Sequence, residues 1–509
     1  MPTEPGRRAL GATLAVAVVL GGVAAWHALG FMDTFNGPPA ASVRWEGRSA
    51  ELPTAAPSPR RVVLAVVDGL REDWVDALGF AADDGARCVL DAQLPTFSRP
   101  NYVALATGVP PSLSGVRTND HEGPAQIESV FDVARAAGYR TEVVTDGTDW
   151  WGALFPSAWR EARFLDKPAF ASLMATYAPA PGSLTLVHIV DVDDQGHDHG
   201  VAAAYGEAAK RAGAVLRGLW GRLDRGRDTL FVTSDHGHID RGGHGGPELE
   251  VVRTPLLVLG AGARGAPGER GCHRSSLDLA PTVAAALGIR PPAASVGSPI
   301  AAVLAPELTE AAVAPASPPS EVPDRRGVSA LPLAVALALW LAAAGLLVRA
   351  ARRRGRGEPP LWHFVVRGAA YVVAFAGIVL GSEPTVSLSA VWLRGPWIMH
   401  MAALTLAAAI LAWALTWVLN ASLRQRPARA AQWVLLFAAL PFAVAAGAHG
   451  SFSGGPELGE PHAAFGLLLG DFCVLGGALS AVLLVAFEAI RRARGVAESF
   501  VPGGRPRRT

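Results

Sequence analysis

An uncharged stretch near the start of the chain constrains the fold most. Residues 9–31 contain no Asp, Glu, Lys or Arg, and they follow Arg7 and Arg8. A helix needs about 20 apolar residues to cross a bilayer core of roughly 30 Å, so this stretch is long enough to span a membrane. A cleaved signal peptide is the alternative interpretation. We favour a membrane anchor because further apolar segments follow in the second half of the chain.

Five further apolar segments follow, and the arginines between them predict their orientation. These segments lie near residues 329–348, 361–381, 397–419, 432–449 and 466–490. Arginines cluster after the second, fourth and sixth of the six segments. The alternate loops, 382–396 and 450–465, contain a single Lys or Arg between them, Arg394. This alternation follows the positive-inside rule. It predicts six spans with both termini in the cytoplasm and residues 32–328 outside it, on the periplasmic side of the inner membrane if the source is bacterial.

The composition supports a membrane protein that carries a separate soluble domain. Charged residues make up 17% of the 509 residues, below the roughly one quarter that is typical of soluble globular proteins. The formal net charge is +1, so no nucleic-acid binding is expected. The sequence divides into an anchor (1–31), an extracytoplasmic domain (60–300), a Pro/Ala-rich linker (301–328), a five-helix transmembrane domain (329–490) and a basic cytoplasmic tail (491–509).

The extracytoplasmic part alternates between short β-branched apolar runs and helical stretches. The predicted strands are residues 61–67, 141–145, 184–190, 229–233 and 255–259. The predicted helices are residues 101–107, 127–137, 201–219 and 276–287. This alternation predicts an α/β domain with a parallel sheet covered on both faces. Ligands in such sheets bind at the carboxyl ends of the strands.

Carboxylate and imidazole side chains follow three of these predicted strands. They come directly after the strands or in a nearby glycine-rich loop, and they are Asp68, Asp193, His197, Asp235, His236 and His244. Any one of them alone has an ordinary explanation, such as a helix cap or a surface loop residue. Together they predict a metal site, and the mixture of imidazole and carboxylate favours zinc over calcium or magnesium. The number of candidate ligands exceeds the needs of one tetrahedral ion and fits two.

Ser98 is a candidate nucleophile at the start of a predicted helix. Pro100 fits the first turn of that helix, and a hydroxyl beside the helix N-terminus lies where a phosphoryl anion is favoured. The alternative is that Ser98 only caps the helix. Trp150 and Trp151 are equally open to two interpretations, as walls of a substrate pocket or as core residues. Asp471, inside the last apolar segment, is a weaker functional candidate that could face a polar groove.

These motifs resemble the alkaline phosphatase superfamily over residues 61 to about 290. The resemblance is closest to the GPI ethanolamine phosphate transferases and the nucleotide pyrophosphatase/phosphodiesterases. Residues 95–100 read P-T-F-S-R-P, similar to the transferase signature P-T-x-S-R-P, and Thr107-Gly108 follow as in the phosphodiesterases. Residues 234–238 are similar to a family S-D-H-G-M stretch, with His238 where methionine is usual. The resemblance implies an alkaline-phosphatase-like sandwich with a mostly parallel central sheet, joined here to an α-helical transmembrane region.

The resemblance also implies a role for each candidate residue. It assigns Asp68, Ser98, Asp235 and His236 to one divalent metal ion, zinc being favoured, and Asp193, His197 and His244 to a second. Ser98 is the implied nucleophile, with Thr96 as the alternative. Asn101 matches a phosphodiesterase asparagine that donates to a phosphoryl oxygen, whereas Tyr102 replaces a family histidine and its role stays open.

The membrane context selects among the reactions that such a site performs. We expect a metal-dependent phosphotransferase that moves phosphoethanolamine, or a similar head group, from a phospholipid to a glycan or lipid alcohol through a phospho-serine. The alternative enzyme is an extracytoplasmic phosphodiesterase or nucleotide pyrophosphatase. A sulfatase is disfavoured because the S-R-P sequence and the many histidines do not match its usual frame. A transporter with a degenerate domain is a hypothesis of another class, but such a domain should have lost ligands.

The three cysteines allow one disulfide at most. They are Cys88, Cys272 and Cys473, too few for a disulfide scaffold or a thiolate metal site. Cys88 and Cys272 could pair in an oxidising compartment. Two buried thiols that do not pair are an equally good interpretation of the sequence.

Overall fold

The computed structural model describes ten stretches of the chain. They are residues 4–35, 58–81, 84–264, 272–310, 330–352, 360–382, 388–391, 394–419, 427–449 and 461–499. Most of the predicted linker, residues 311–328, lies outside the described residues, as do residues 500–509 of the predicted basic tail.

A mixed eight-stranded sheet forms the centre of the described residues between 58 and 310. Its strands are β1 Arg61–Val67, β2 Gly85–Asp91, β3 Arg140–Thr145, β4 Glu161–Phe164, β5 Ser183–Ile189, β6 Thr229–Thr233, β7 Arg253–Gly260 and β8 His273–Ser275. The order across the sheet is β4-β3-β5-β1-β6-β7-β2-β8. Only β7 runs antiparallel to its neighbours among these strands. The predicted α/β class with a mostly parallel sheet is therefore confirmed.

Helices cover both faces of the sheet and enclose two apolar clusters, one on each face. They are α2 Ser98–Thr107, α3 Pro111–Ser114, α4 Val130–Ala136, α5 Trp150–Leu154, α6 Lys167–Met174, α7 Asp191–His199, α8 Ala203–Trp220, α9 Leu249–Val252, α10 Leu279–Leu287 and α11 Pro306–Glu310. Short 3-10 helices, Glu72–Leu78 and Ser276–Asp278, complete the layers. Local sequence explains α4 well. Ser129 and Asp132 form a reciprocal capping box at its start, which satisfies backbone N–H groups that a helix leaves without partners.

The sheet contains more than the sequence predicted. Strands β2, β4 and β8 were not predicted, and β7, predicted within a parallel sheet, runs antiparallel. The domain also continues past residue 300. Val303 and Leu304 are buried in the core cluster, and a β-bridge joins Leu304 to Ala263. These apolar side chains pack against the domain, so residues 301–310 belong to it rather than to the linker.

A disulfide joins Cys88 to Cys272, with 4.8 Å between their Cα atoms. Cys88 lies in β2, and Cys272 directly precedes β8. The bond therefore ties the edge strand to its only neighbour among the described strands. Of the two interpretations of these cysteines, the structure therefore agrees with the disulfide. The third cysteine, Cys473, is buried and forms no disulfide among the described residues.

Six long helices coincide with the six apolar segments. They are α1 Glu4–Phe35, α12 Ala330–Arg352, α13 Leu361–Ser382, α14 Arg394–Leu419, α15 Pro427–His449 and α16 Pro461–Ser499. Among the described residues, two contain a window long and apolar enough to cross a membrane, Gly11–Ala28 and Leu468–Phe487. The six-span topology therefore stays a prediction. Residues 491–499, predicted as the start of a separate tail, continue α16.

Asp471 has a partner on the first helix. Its Oδ2 lies 2.5 Å from Nδ1 of His27, and both side chains are buried. The pair joins α1 to α16. The ring of Phe442, from α15, meets His27 edge-on with 5.5 Å between centroids. The predicted polar groove around Asp471 is thus replaced, in the part of the chain that the structure describes, by a contact between helices.

Candidate active site

Three adjacent strands deliver the candidate ligands to one edge of the sheet. Strand β1 lies between β5 and β6, and all three are parallel. Asp68 directly follows β1, α7 follows β5 after one residue, and Asp235 and His236 follow β6. Since parallel strands end at the same edge, these side chains converge there.

Asp68, Asp235 and His236 form the first set of ligand-type side chains. Their candidate ligand atoms lie within 4.8 Å of one another. His236 Nε2 is 3.4 Å from Asp68 Oδ1 and 3.2 Å from Asp235 Oδ2. Ser98 Oγ lies 3.1 Å from the same nitrogen. The four groups that the resemblance assigns to one cation are therefore neighbours.

Asp193, His197 and His244 form the second set. Asp193 and His197 are four residues apart on α7, so they share one helical face, and His197 Nε2 lies 3.4 Å from Asp193 Oδ2. His244 Nε2 lies 3.9 Å from Asp193 Oδ1 and 3.1 Å from His197 Nε2. The two sets adjoin, because the rings of His236 and His244 stack with 3.7 Å between centroids.

Backbone carbonyls fix which nitrogen of two histidines faces the site. His236 Nδ1 lies 3.1 Å from the carbonyl oxygen of Gly237, and His244 Nδ1 lies 2.8 Å from that of Thr96. A carbonyl only accepts, so each Nδ1 carries the proton and each neutral imidazole presents its Nε2 lone pair to the site. This is the arrangement by which proteins orient histidine ligands of metal ions.

The carboxylates also fit a divalent cation. Among the described residues, Asp68 Oδ1 and Asp235 Oδ2 are buried and accept no hydrogen bond. A buried carboxylate oxygen without such a partner is costly. A cation between these oxygens and the imidazole nitrogens would satisfy both kinds of donor atom. The residues present therefore fit the group that the resemblance implies.

Burial shapes the electrostatics of the site. It lowers the pKa of His236 to about 4, and burial together with neighbouring His236 holds the pKa of His244 well below its usual value. Burial and the charges of Asp68 and Asp193 raise the pKa of Asp235 well above its usual value. Neutral imidazoles beside crowded carboxylates form a donor set that favours a bound cation.

Ser98 is the first residue of α2, and its hydroxyl does not cap the helix. The cap position belongs to Phe97, which makes no side-chain capping hydrogen bond. The Ser98 side chain is 3% exposed and contacts His236. Thr96, the alternative nucleophile, donates its hydroxyl proton to the carbonyl of Gly246 and accepts from the N–H of Gly245. The geometry therefore favours Ser98.

Asn101 has backbone partners in this structure. Its Nδ2 donates to the carbonyl oxygens of Gln93 and Phe97 at 3.0 Å each and to that of Pro95 at 3.3 Å. Its Oδ1 accepts from the N–H of Gln93 at 2.7 Å. Asn101 thus holds the segment that leads into Ser98. Donation to a phosphoryl oxygen stays a prediction.

His238 was missed as a functional residue in the sequence. Its Nδ1 accepts the N–H of Gly243 at 3.1 Å, so in the neutral ring Nε2 carries the proton and donates it to Asp193 Oδ1 at 2.8 Å. Its candidate ligand atom also lies within 4.8 Å of those of Asp193 and His197, but the proton on Nε2 makes His238 a donor that orients Asp193 rather than a ligand. Its only signal in the sequence was that it stands where the family motif usually has methionine.

The approach of His238 to Asp193 also explains Gly69. This glycine has φ of +70°, and a Cβ there would lie 2.7 Å from His238 Nε2 and 2.9 Å from the Cα of Asp193. A larger residue would therefore be both strained and obstructed.

A second buried network orients Asp68. The Tyr102 hydroxyl donates to Asp68 Oδ2, and His188 Nε2 lies 3.0 Å from the same oxygen. Thr145 Oγ1 lies 3.1 Å from Nδ1 of His188. Tyr102, whose role the sequence left open, therefore contacts a candidate metal ligand. His188 was missed because it sits inside a strand, where a histidine is usually a core residue.

The two tryptophans differ in position. Trp151 is fully buried in the core and stacks on Tyr102 with 4.6 Å between ring centroids. Trp150 is partly exposed, with the guanidinium carbon of Arg99 4.4 Å from its ring centroid. The core interpretation therefore holds for Trp151.

Comparison with known proteins gives sequence relatives but no family profile that matches. The chain is 28% identical to the catalytic subunit of human GPI ethanolamine phosphate transferase 2 over 283 residues, 48% of this chain. It is 25% identical to human GPI ethanolamine phosphate transferase 1 over 263 residues, 43% of this chain. Each match spans only 28% of the relative's length. The resemblance to the GPI ethanolamine phosphate transferases is therefore confirmed.

Solved structures with a similar fold include murine ectonucleotide pyrophosphatase/phosphodiesterase 5. It is 15% identical, with a TM-score of 0.38, and the similarity covers 46% of this chain and 96% of that one.

Proposed function

We propose that the chain is a membrane-bound, metal-dependent phosphotransferase. Its reaction moves phosphoethanolamine, or a similar phospho head group, from a phospholipid to a glycan or lipid alcohol. The observation that carries this proposal is the gathering of two adjoining sets of ligand-type side chains beside one serine hydroxyl at the N-terminus of α2. The names of the sequence relatives support phosphoethanolamine as the transferred group.

Each residue has a distinct part in the proposed mechanism. One divalent cation would be held by Asp68, Ser98, Asp235 and His236. A second would be held by Asp193, His197 and His244. The mixture of imidazole and carboxylate ligands favours zinc. When bound, such cations stabilise negative charge on the attacking and leaving oxygens of an in-line displacement.

The covalent steps use Ser98 twice. In the first, Ser98 Oγ loses its proton and forms a bond to phosphorus. At the same time the bond from phosphorus to the diacylglycerol oxygen of the donor lipid breaks, and that oxygen takes up a proton. In the second, the acceptor hydroxyl loses its proton and bonds to phosphorus, while the phospho-serine bond breaks and Ser98 Oγ takes up a proton, which returns Ser98 to its starting state. The N-terminus of α2 supports the phosphoryl oxygens electrostatically.

We also propose that residues 32–328 lie outside the cytoplasm and that six helices cross the membrane. The arginine distribution supports this orientation. The disulfide between Cys88 and Cys272 supports it independently, because such bonds persist in oxidising compartments. A lipid donor and a membrane-linked acceptor are then available on the same side as the site.

The test uses the full-length purified protein and phosphatidylethanolamine labelled in its head group. We expect release of diacylglycerol that depends on an added glycolipid acceptor, with the label transferred to that acceptor. The Ser98→Ala variant is the matched control and should release none. Release of free phosphoethanolamine without an acceptor would support the hydrolase alternative. No release from the lipid, with cleavage of nucleotide diesters, would exclude the lipid reaction.

A further inference from the structure

A turn between two of the long helices contacts the loop that carries His244. This turn, Leu388–Val391, is a short 3-10 helix between α13 and α14. The side chain of Ser389 within it is fully buried. The N–H of Gly246 donates to Ser389 Oγ at 2.9 Å, and Ser389 Oγ donates to Glu248 Oε2 at 2.7 Å. One hydroxyl therefore joins two points of the same loop.

Hydrogen bonds continue from this contact to the candidate metal ligand. The hydroxyl of Thr96 donates to the carbonyl oxygen of Gly246 at 2.8 Å. The same hydroxyl oxygen, Thr96 Oγ1, accepts from the N–H of Gly245 at 2.9 Å. The carbonyl of Thr96 in turn accepts from His244 Nδ1 at 2.8 Å. Ser389 is thus linked, through Gly246 and Thr96, to the imidazole whose Nε2 faces the site.

Apolar packing reinforces the same contact. A Cβ at residue 245 would lie 2.5 Å from a ring carbon of Phe97 and 3.3 Å from the Cβ of Leu388, so only glycine fits between them. Phe97 directly precedes Ser98, and its ring meets that of His244 edge-on at 5.8 Å. Phe97 and Leu388 belong to one apolar cluster with side chains of the long helices, such as Tyr371.

We propose that Ser389 is a positioning residue for the active site and that the Leu388–Val391 turn completes the site. The membrane region then does more than anchor the enzyme, because it fixes the loop that presents His244. This inference rests on the proposed function for the identity of the reaction. The positioning of the loop itself is independent of which phosphoryl ester is the substrate.

Removal of the Ser389 hydroxyl should loosen the loop rather than unfold the protein. The loss takes away the acceptor of the Gly246 N–H and a donor to Glu248, while the Thr96 contacts remain. Replacement of a residue that orients a metal ligand typically lowers metal affinity by about 10- to 100-fold. We therefore expect zinc affinity to fall by this factor at the set formed by Asp193, His197 and His244.

The experiment compares three full-length variants in detergent. Ser389→Ala removes the hydroxyl, Ser389→Thr retains one, and Ser480→Ala removes a hydroxyl from another buried serine, on α16. Zinc affinity is measured by competition with a chromogenic chelator, and kcat and KM are measured with bis(4-nitrophenyl) phosphate. We expect Ser389→Ala to weaken the binding of one zinc ion and to lower kcat. We expect Ser389→Thr to restore much of both, and Ser480→Ala to match the parent.

The outcomes separate this inference from the proposed function. If Ser389→Ala binds zinc as tightly as the parent and keeps its kcat, the positioning role is wrong even if lipid transfer is real. If Ser480→Ala weakens zinc binding equally, the effect is general destabilisation and the inference is also overturned. If the parent transfers nothing from lipid but Ser389→Ala still loses one zinc ion selectively, the proposed function fails and the positioning role stands.

Discussion

His238 donates a hydrogen bond from Nε2 to Oδ1 of Asp193, at 2.8 Å, in the buried centre of the site. The two residues come from different elements, because Asp193 lies on α7 and His238 follows β6. Burial opposes ionisation of Asp193, but His197 and His238 outweigh it and hold the pKa of this carboxyl well below its usual value. His238 therefore both orients the carboxylate and favours its charged form.

Replacement of His238 by methionine tests this contact. His238→Met removes the donor at similar volume, so we expect zinc affinity to fall by about 10- to 100-fold. The matched control is His273→Met, because His273 pairs with Asp91 at 2.6 Å on the exposed edge of the sheet, away from the site. Both are measured by chelator competition. Equal zinc affinity in His238→Met and the parent would rule out the orienting role.

Ser98 should become covalently labelled during turnover. We expect an acid-quenched reaction with head-group-labelled phosphatidylethanolamine to leave the label on the peptide that contains Ser98, as peptide mass spectrometry would show. Thr96→Ser keeps a hydroxyl at the alternative position and should retain the label on Ser98. A label on Thr96 instead would contradict the assignment, and so would full turnover by Ser98→Ala.

Trp151 should stabilise the domain far more than Trp150. Trp151 is fully buried against Tyr102, so Trp151→Ala should lower the free energy of unfolding by about 3–5 kcal/mol. Trp150→Ala, at a partly exposed site beside Arg99, should cost about 1 kcal/mol or less. Chemical denaturation followed by circular dichroism measures both. Comparable losses for the two variants would refute the core assignment of Trp151.

Asp146 should make stability depend on pH. Burial raises the pKa of its carboxyl above the usual value. The folded state therefore binds more protons than the unfolded state between the two pKa values, so this group's contribution to stability falls as pH rises through that window. We expect Asp146→Asn to lack this fall, because the amide stays neutral. Melting temperatures of parent and variant from about pH 4 to about pH 8 would test it, and parallel curves would disprove it.

The edge of the sheet at which the candidate ligands lie was predictable because the sequence pattern that marks it is local. An aspartate follows each of strands β1, β5 and β6 within two residues, so these strands and the residues that follow them were correctly located. Their convergence follows from parallel topology alone. The direction of β7 was not predictable in this way, because an antiparallel strand with buried faces has the same apolar pattern as a parallel one.

The contacts that orient the candidate ligands depend on three-dimensional packing and carry little sequence signal. His238 and Asp193 are 45 residues apart, and Ser389 and Gly246 are 143 apart. No periodicity or spacing links such residues. Asn101 is a further example, since its motif gave no sign of the backbone partners that its amide has in the structure; its donation to a phosphoryl oxygen stays a prediction.

Anomalous scattering at the zinc edge, measured on crystals of the zinc-loaded protein, tests the central claim most directly. The account predicts two peaks beside Ser98, one among Asp68, Asp235 and His236 and the other among Asp193, His197 and His244. Peaks elsewhere in the chain, or no peak at these side chains, would contradict it.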